Sequence, residues 1–123
     1  MKEFIDTPAG RFRVDPVVGH FDVWTHGKLP FAQFTLKVVK APDHFRASPN
    51  VFVKNSVTKC IEYICGMGNS VEEAVTDAVD MFFRVTNKQE ENGATLRETD
   101  FVWLNWLPYN QDTLDDGSFR RKT

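Results

Sequence analysis

The clearest alternation in the chain runs from Phe31 to Lys40, where Ala32, Phe34, Leu36 and Val38 take one parity and Gln33, Thr35 and Lys37 the other. A period of two predicts a strand with one face on a core and one in solvent. Val17 to Thr25 alternates less regularly, with Val17, Phe21 and Val23 against His20, Asp22 and Trp24, and with Gly19 placed as a bulge or close-packing point. The turn His26-Gly27-Lys28-Leu29-Pro30 between these runs predicts an antiparallel hairpin. Phe12 and Val14 predict a short strand before Asp15-Pro16, and Val51 to Val53 another. The two prolines of Ala41-Pro42-Asp43 to Ser48-Pro49-Asn50 predict a loop. Val57 to Cys65 is predicted as a third main strand, with Val57, Ile61, Tyr63 and Cys65 on one side.

The period changes after Gly66-Met67-Gly68-Asn69, which is predicted as a turn. Ser70-Val71-Glu72-Glu73 matches a capping box, in which the serine hydroxyl accepts an amide of the first turn and the glutamate reaches back. Val71, Ala74, Val75, Ala78, Phe82 and Val85 then recur at spacings of three and four, with Met81 at the edge of the stripe. A helix from Ser70 to about Asn87 follows, fraying towards the stop at Asn92-Gly93. Thr99 to Leu107 returns to strand character with apolar residues on both parities, and Pro108 ends it. The expected fold is α+β: an antiparallel sheet of four to five strands with one long amphipathic helix packed on one face. Residues 1–108 make a single domain, and the polar stretch 109–123 reads as a mobile C-terminal tail.

Composition supports a packed domain. The 123 residues are 41% hydrophobic, and eleven Phe and three Trp are far too many for a disordered chain. One helix cannot cover a sheet of that size and also bury these rings. Trp24, Tyr63, Phe101, Trp103 and Trp106 are therefore the candidates for a subunit interface or a pocket, and a homodimer is expected. The apolar runs are too short for a transmembrane helix, and the first residues lack the pattern of a secretory signal, which predicts a cytoplasmic protein with no membrane partner.

Charge is unevenly distributed. His26 to Cys60 holds six bases against one acid, whereas Ile61 to Gly117 holds twelve acids against three bases. Either the two fields cancel in space or the molecule has a basic and an acidic side. Lys37, Lys40, Arg46, Lys54 and Lys59, interleaved with Phe31, Phe45 and Phe52, are the candidates for nucleic-acid contact, which the acidic overall balance does not favour.

Catalytic signatures are weak. The glycines around Met67 lack a dinucleotide spacing or a phosphate-loop lysine. His20, Asp22, Trp24 and His26 form the densest polar and aromatic group, which a polar strand face near a turn explains equally well. Cys60 and Cys65, an odd five residues apart in a predicted strand, face opposite ways and read as reduced, buried thiols. No catalytic residue, metal site or cofactor is assigned.

The segment from Gly68 through Ser70-Val71-Glu72-Glu73-Ala74 to Ala78, placed between strands, resembles the HicB-like group of small antitoxin domains, whose core is β-β-β-α-β. The resemblance spans roughly residues 31–107, but it lacks the family's acidic-glycine first hairpin and any appended DNA-binding unit. It implies a domain that dimerises and occludes a protein partner. The favoured function is a small non-enzymatic binding or regulatory protein, carried by a phage or other mobile element and working through protein contacts. Two alternatives stay open. One is a small-molecule site or minor enzyme with Tyr63, Trp103 and His20 lining a pocket between helix and sheet. The other is a single-stranded nucleic-acid binder using the basic segment 28–59.

Overall fold

Phe34, Leu36 and Val38 are fully buried on one side of their strand, as the alternation predicts, and the rest of the fold is built around them. The structure, a computed structural model, describes residues 3–93 and 95–104. In chain order the elements are β1 (Phe4–Thr7), β2 (Gly10–Arg13), β3 (Val17–Trp24), β4 (Gln33–Lys40), β5 (Phe45–Pro49), β6 (Val51–Lys54), β7 (Ile61–Glu62), β8 (Gly66–Gly68), α1 (Val71–Glu91), one 3-10 turn (Glu98–Asp100) and β9 (Phe101–Trp103). The fold is α+β. The helix packs against antiparallel strands arranged as a four-stranded sheet β3-β4-β5-β8, a three-stranded sheet β7-β6-β9 and a separate hairpin β1-β2. The predicted β3-β4 hairpin forms, and Val18 is the extra residue of a bulge beside Gly19.

Residues 45–54, expected as a loop and a short strand, are instead one bent ribbon inside the molecule. Lys37↔Ser48 and Val38↔Ala47 pair on the β4 side, and Ala47↔Gly66 on the β8 side. Pro49 is tolerated because strand amides alternate in direction. The Asn50 amide donates to the Thr35 carbonyl at 2.9 Å, so the proline nitrogen points the other way, past the end of β8. Asn50 then joins the two sheets: its Oδ1 accepts the Thr35 amide at 2.9 Å and its carbonyl accepts the Leu104 amide at 2.7 Å.

The predicted strand Val57–Cys65 breaks up. The Asn55 side chain accepts the amides of Val57 and Thr58 at 2.8 and 3.0 Å, and Lys59 is left-handed at φ 64°, so only Ile61–Glu62 pairs. Val57, assigned to that strand's apolar side, is largely exposed, and so is Cys60, contrary to the buried thiol expected there. Cys65 is half-buried. Burial pushes the Cys65 thiol above its ordinary value, against a hydrogen bond from Ser48 and the charge of Arg46, which lower it; Asp77 adds to the rise. Iodoacetamide at neutral pH is expected to label Cys60 several-fold faster than Cys65, read by peptide mass mapping; equal rates would contradict the burial of Cys65.

The predicted turn Gly66–Asn69 is strand β8, and its glycines exist because α1 lies directly on it. A Cβ on Gly66 would overlap the Ala78 nitrogen and the Ala74 carbonyl oxygen, and one on Gly68 would stand 2.7 Å from the Ala74 nitrogen. The helix start is as read: the Ser70 hydroxyl accepts the Glu73 amide at 3.1 Å. Glu73 returns to the Asn69 amide at 2.9 Å, one residue before the cap. The helix does not fray at Asn87 but continues to Glu91. Gln89, buried among polar partners, accepts the Ser56 amide at 2.8 Å and donates to the Lys54 carbonyl at 3.0 Å, which fixes the last turn to the sheet.

Phe82 of α1 stacks on Phe34 at 4.5 Å between centroids, and Phe31 packs edge-on against Phe101 and Trp103, each at 4.9 Å. Phe101 thus belongs to the core rather than to an interface. Its strand starts at 101 and not at Thr99, because Arg97 and Asp100 close a turn through the Arg97 amide to Asp100 Oδ2 at 2.8 Å. Trp106 and the C-terminal segment lie outside the described residues. Among those described, no helix is long and apolar enough to cross a membrane.

Candidate functional site

The parity of the β5–β6 ribbon decides what the open side of the sheet presents. Ala47, Pro49, Val51 and Val53 are buried beneath the helix side, so Arg46, Ser48, Asn50, Phe52 and Lys54 take the opposite side. Cross-strand pairing then sets out rows about 4.8 Å apart from strand to strand. His20, Lys37 and Ser48 lie side by side, and Ser48 reaches Cys65 of the next segment. Asp22, Thr35 and Asn50 form the neighbouring row, with the Thr35 hydroxyl donating to Asp22 Oδ1 at 2.9 Å. Trp24 and Gln33 follow at one end, and Val39, Arg46 and Met67 at the other.

Two aromatic groups border these rows. Tyr63, 82% exposed, meets Phe52 edge-on at 5.3 Å, and Trp24 is 60% exposed at the end of β3. Asp15, mostly shielded, holds Arg13 at 3.0 Å and lies 3.9 Å from Arg46. The face is therefore a polar, cationic plane with rings at its margins, built from residues between positions 20 and 67.

The five basic candidates are not all brought together. Lys37, Arg46 and Lys54 share the open side. Lys40 has the other parity, and its ammonium donates to the carbonyls of Ala41 and Pro42 at 2.6 and 3.3 Å, above the Phe45 ring. Lys59 sits on the β6–β7 turn. Trp103 is on the helix side of its sheet, opposite Val51, whereas Tyr63 and His20 face outward, so the three do not line one pocket. His26 stands apart on the turn after β3 at φ 52°. His44 pairs with its neighbour Asp43 at 2.7 Å, and that hydrogen bond and charge hold the Asp43 carboxyl below its usual value.

A shallow groove of about 540 Å³ runs between β8 and α1, lined by Met67, Glu72, Glu73, Thr76, Asp77 and Asp80. Two of its four carboxylates cap backbone, Asp77 accepting the Met67 amide at 2.9 Å and Glu73 the Asn69 amide, and Asp80 pairs with Arg84. Among the described residues, no group of three or more His, Cys, Asp or Glu is placed to hold a metal ion.

A second surface has a different character. Of the twelve large apolar side chains that stay exposed among the described residues, seven lie between Phe4 and Trp24: Phe4, Ile5, Phe12, Val17, Val18, Phe21 and Trp24. Ile5 and Phe12 are direct partners across β1-β2, and β3 ends its sheet. No strand among the described residues pairs with the outer side of β3. Sequence reading missed β1 altogether. Its signal was the turn Thr7-Pro8-Ala9-Gly10, where the Thr7 hydroxyl accepts the Ala9 amide at 3.1 Å and donates to the Gly10 carbonyl at 3.0 Å.

Compared with known protein families, with curated proteins and with solved structures, the chain matches none.

Proposed function

We propose that this chain is a small non-enzymatic binding or regulatory protein that acts through protein–protein contacts and pairs with a second copy through β1, β2 and β3. The observation that carries this reading is the concentration of exposed apolar side chains between Phe4 and Trp24. A two-stranded hairpin is marginal in water by itself, and one that exposes Ile5 and Phe12 gains stability only by covering them. Beside it, β3 is an edge strand of eight residues whose outer side pairs with no other strand among the described residues. Its bulge at Val18 disrupts pairing at one end, which leaves Gly19 to Trp24 as the straight part.

Two copies of such an edge are self-complementary about a two-fold axis, antiparallel strand to strand. Phe21 projects from this stretch on the core-facing parity, outside the cover of the helix, which packs chiefly on β8 and β5. The resemblance to HicB-like antitoxins leads to the same class of function, a dimer that occludes a protein partner, and fits a cytoplasmic protein of a phage or other mobile element. The two free thiols suit a reducing compartment.

Sedimentation velocity tests the pairing. The wild-type chain is expected to run as a dimer at micromolar concentration, and Phe21→Glu to weaken dimerisation at least tenfold by placing a charge in the contact. A wild-type monomer at about 100 micromolar, or a Phe21→Glu protein as dimeric as wild type, would sink the proposal; the interface energetics assumed are those of a buried aromatic anchor.

A further inference from the structure

We infer that the open side of the sheet binds single-stranded nucleic acid, with Lys37, Arg46 and Lys54 on the phosphates and Trp24, Phe52 and Tyr63 offered to the bases. This surface is separate from the apolar residues of β1, β2 and β3 proposed for pairing, except at Trp24. The fold sorts charge into two sides. The exposed part of α1 carries Glu72, Glu73, Asp77, Asp80, Glu90 and Glu91 against Arg84 and Lys88, and Arg84 is already paired with Asp80. The opposite side carries Lys37, Arg46 and Lys54 against Asp22 and against Asp15, which lies between Arg13 and Arg46, so its balance is positive where that of the helix is strongly negative. A polyanion approaching the molecule is therefore drawn to the sheet and repelled by the helix, although the chain as a whole is slightly acidic.

Geometry selects a single strand. Arg46 and Lys54 are eight residues apart on one bent ribbon, a path of at most about 26 Å at the rise of a β-strand. A path of that length fits the roughly four or more nucleotides of sheet-based single-strand sites. Stacking needs unpaired bases, and Tyr63 and Trp24 present their rings to solvent, Tyr63 against Phe52 next to Lys54 and Trp24 at the end of the rows. Between them lie Thr35, Ser48 and Asn50, hydroxyl and amide side chains able to meet base edges. An acidic polypeptide would satisfy the cations but not use the rings in this way, which makes it the competitor to exclude.

The probe is a fluorescein-labelled twelve-residue oligothymidylate, followed by anisotropy at low salt with the full chain. Saturable binding is expected, weakening with salt at a log–log slope of about −2, as three neutralised phosphates of a single strand require. Lys37→Glu with Lys54→Glu, both at half-buried positions, should weaken binding at least tenfold with an unchanged circular-dichroism spectrum. Tyr63→Ala should cost about fivefold or more while leaving the salt slope as it was, because a stacking contact releases no counterion. Phe21→Glu should bind the oligonucleotide as wild type does, so that loss of pairing and loss of this site are read separately. The inference is overturned if the wild-type chain gives no anisotropy change, if the double lysine variant binds undiminished, or if poly-glutamate competes as well as oligothymidylate per charge.

Discussion

Phe82→Ala is expected to lower the stability of the fold by about 3–5 kcal/mol, the range for deleting a buried aromatic ring and leaving its cavity. Phe82 is fully buried, lies nearly parallel to Phe34, and also meets Phe83 edge-on at 5.9 Å. It is the one ring that α1 sends into the centre of the core, between the helix and β4. The neighbours cannot close the gap easily, because Ala74 and Ala78 already bring the helix into contact with β8. A single domain has only about 5–15 kcal/mol in total, so this one change should remove roughly a fifth of it or more. Urea denaturation measures the effect, with the midpoint moving and the slope unchanged. A loss below about 1 kcal/mol would mean that the Phe34–Phe82 stack is not the centre of the core.

Gly66→Ala is expected to cost about 3 kcal/mol, at the upper end for overpacking, although it adds a single methyl. The atoms that this methyl would overlap belong to the backbone of α1, at Ala74 and Ala78, and backbone cannot rotate out of the way as a side chain can. The whole helix has to lift, loosening the contacts of Ala74, Ala78 and Phe82 together. Gly27→Ala is the informative comparison. Gly27 has φ +78° and open space around its missing Cβ, so alanine there meets only the conformational penalty, about 1 kcal/mol. Steric pressure at Gly66 is refuted if the two variants have the same urea midpoint.

These two sites also show where sequence reading stopped. Phe82 was legible because helical spacing names a face, and a face with Val71, Ala74, Ala78 and Phe82 on it has to be covered. Gly66 was not. A glycine before a helix reads equally as a turn or as a point of close approach, and only the neighbour above it decides. The ribbon 45–54 is the more instructive case. Phe45, Ala47, Pro49, Val51 and Val53 alternate with Arg46, Ser48, Asn50, Phe52 and Lys54 without a break, and that period was available in the sequence. Two prolines masked it, since whether a proline suits a strand depends on which edge its missing N–H faces, a property of the neighbours rather than of the strand. Losing the ribbon also lost the open face, because Ser48, Asn50 and the shared side of Arg46 and Lys54 became visible only with its parity.

The opposite error occurred at Val57–Cys65, where β-branched and aromatic residues promised a strand and Asn55 took the local amides for a turn instead. Propensity is weak there because it reflects packing that the segment never makes. By itself the sequence determined the fold class, the helix and its cap, and the buried side of β4, all of which rest on interactions within a few residues or on a simple period. Tertiary structure alone decided that β8 must be glycine-rich beneath the helix and that Phe101 belongs to the core. It also decided that three of five dispersed bases face the same way and that most of the exposed rings lie on β1, β2 and β3. Each of those depends on contacts between residues far apart in the chain, whose register no local pattern encodes.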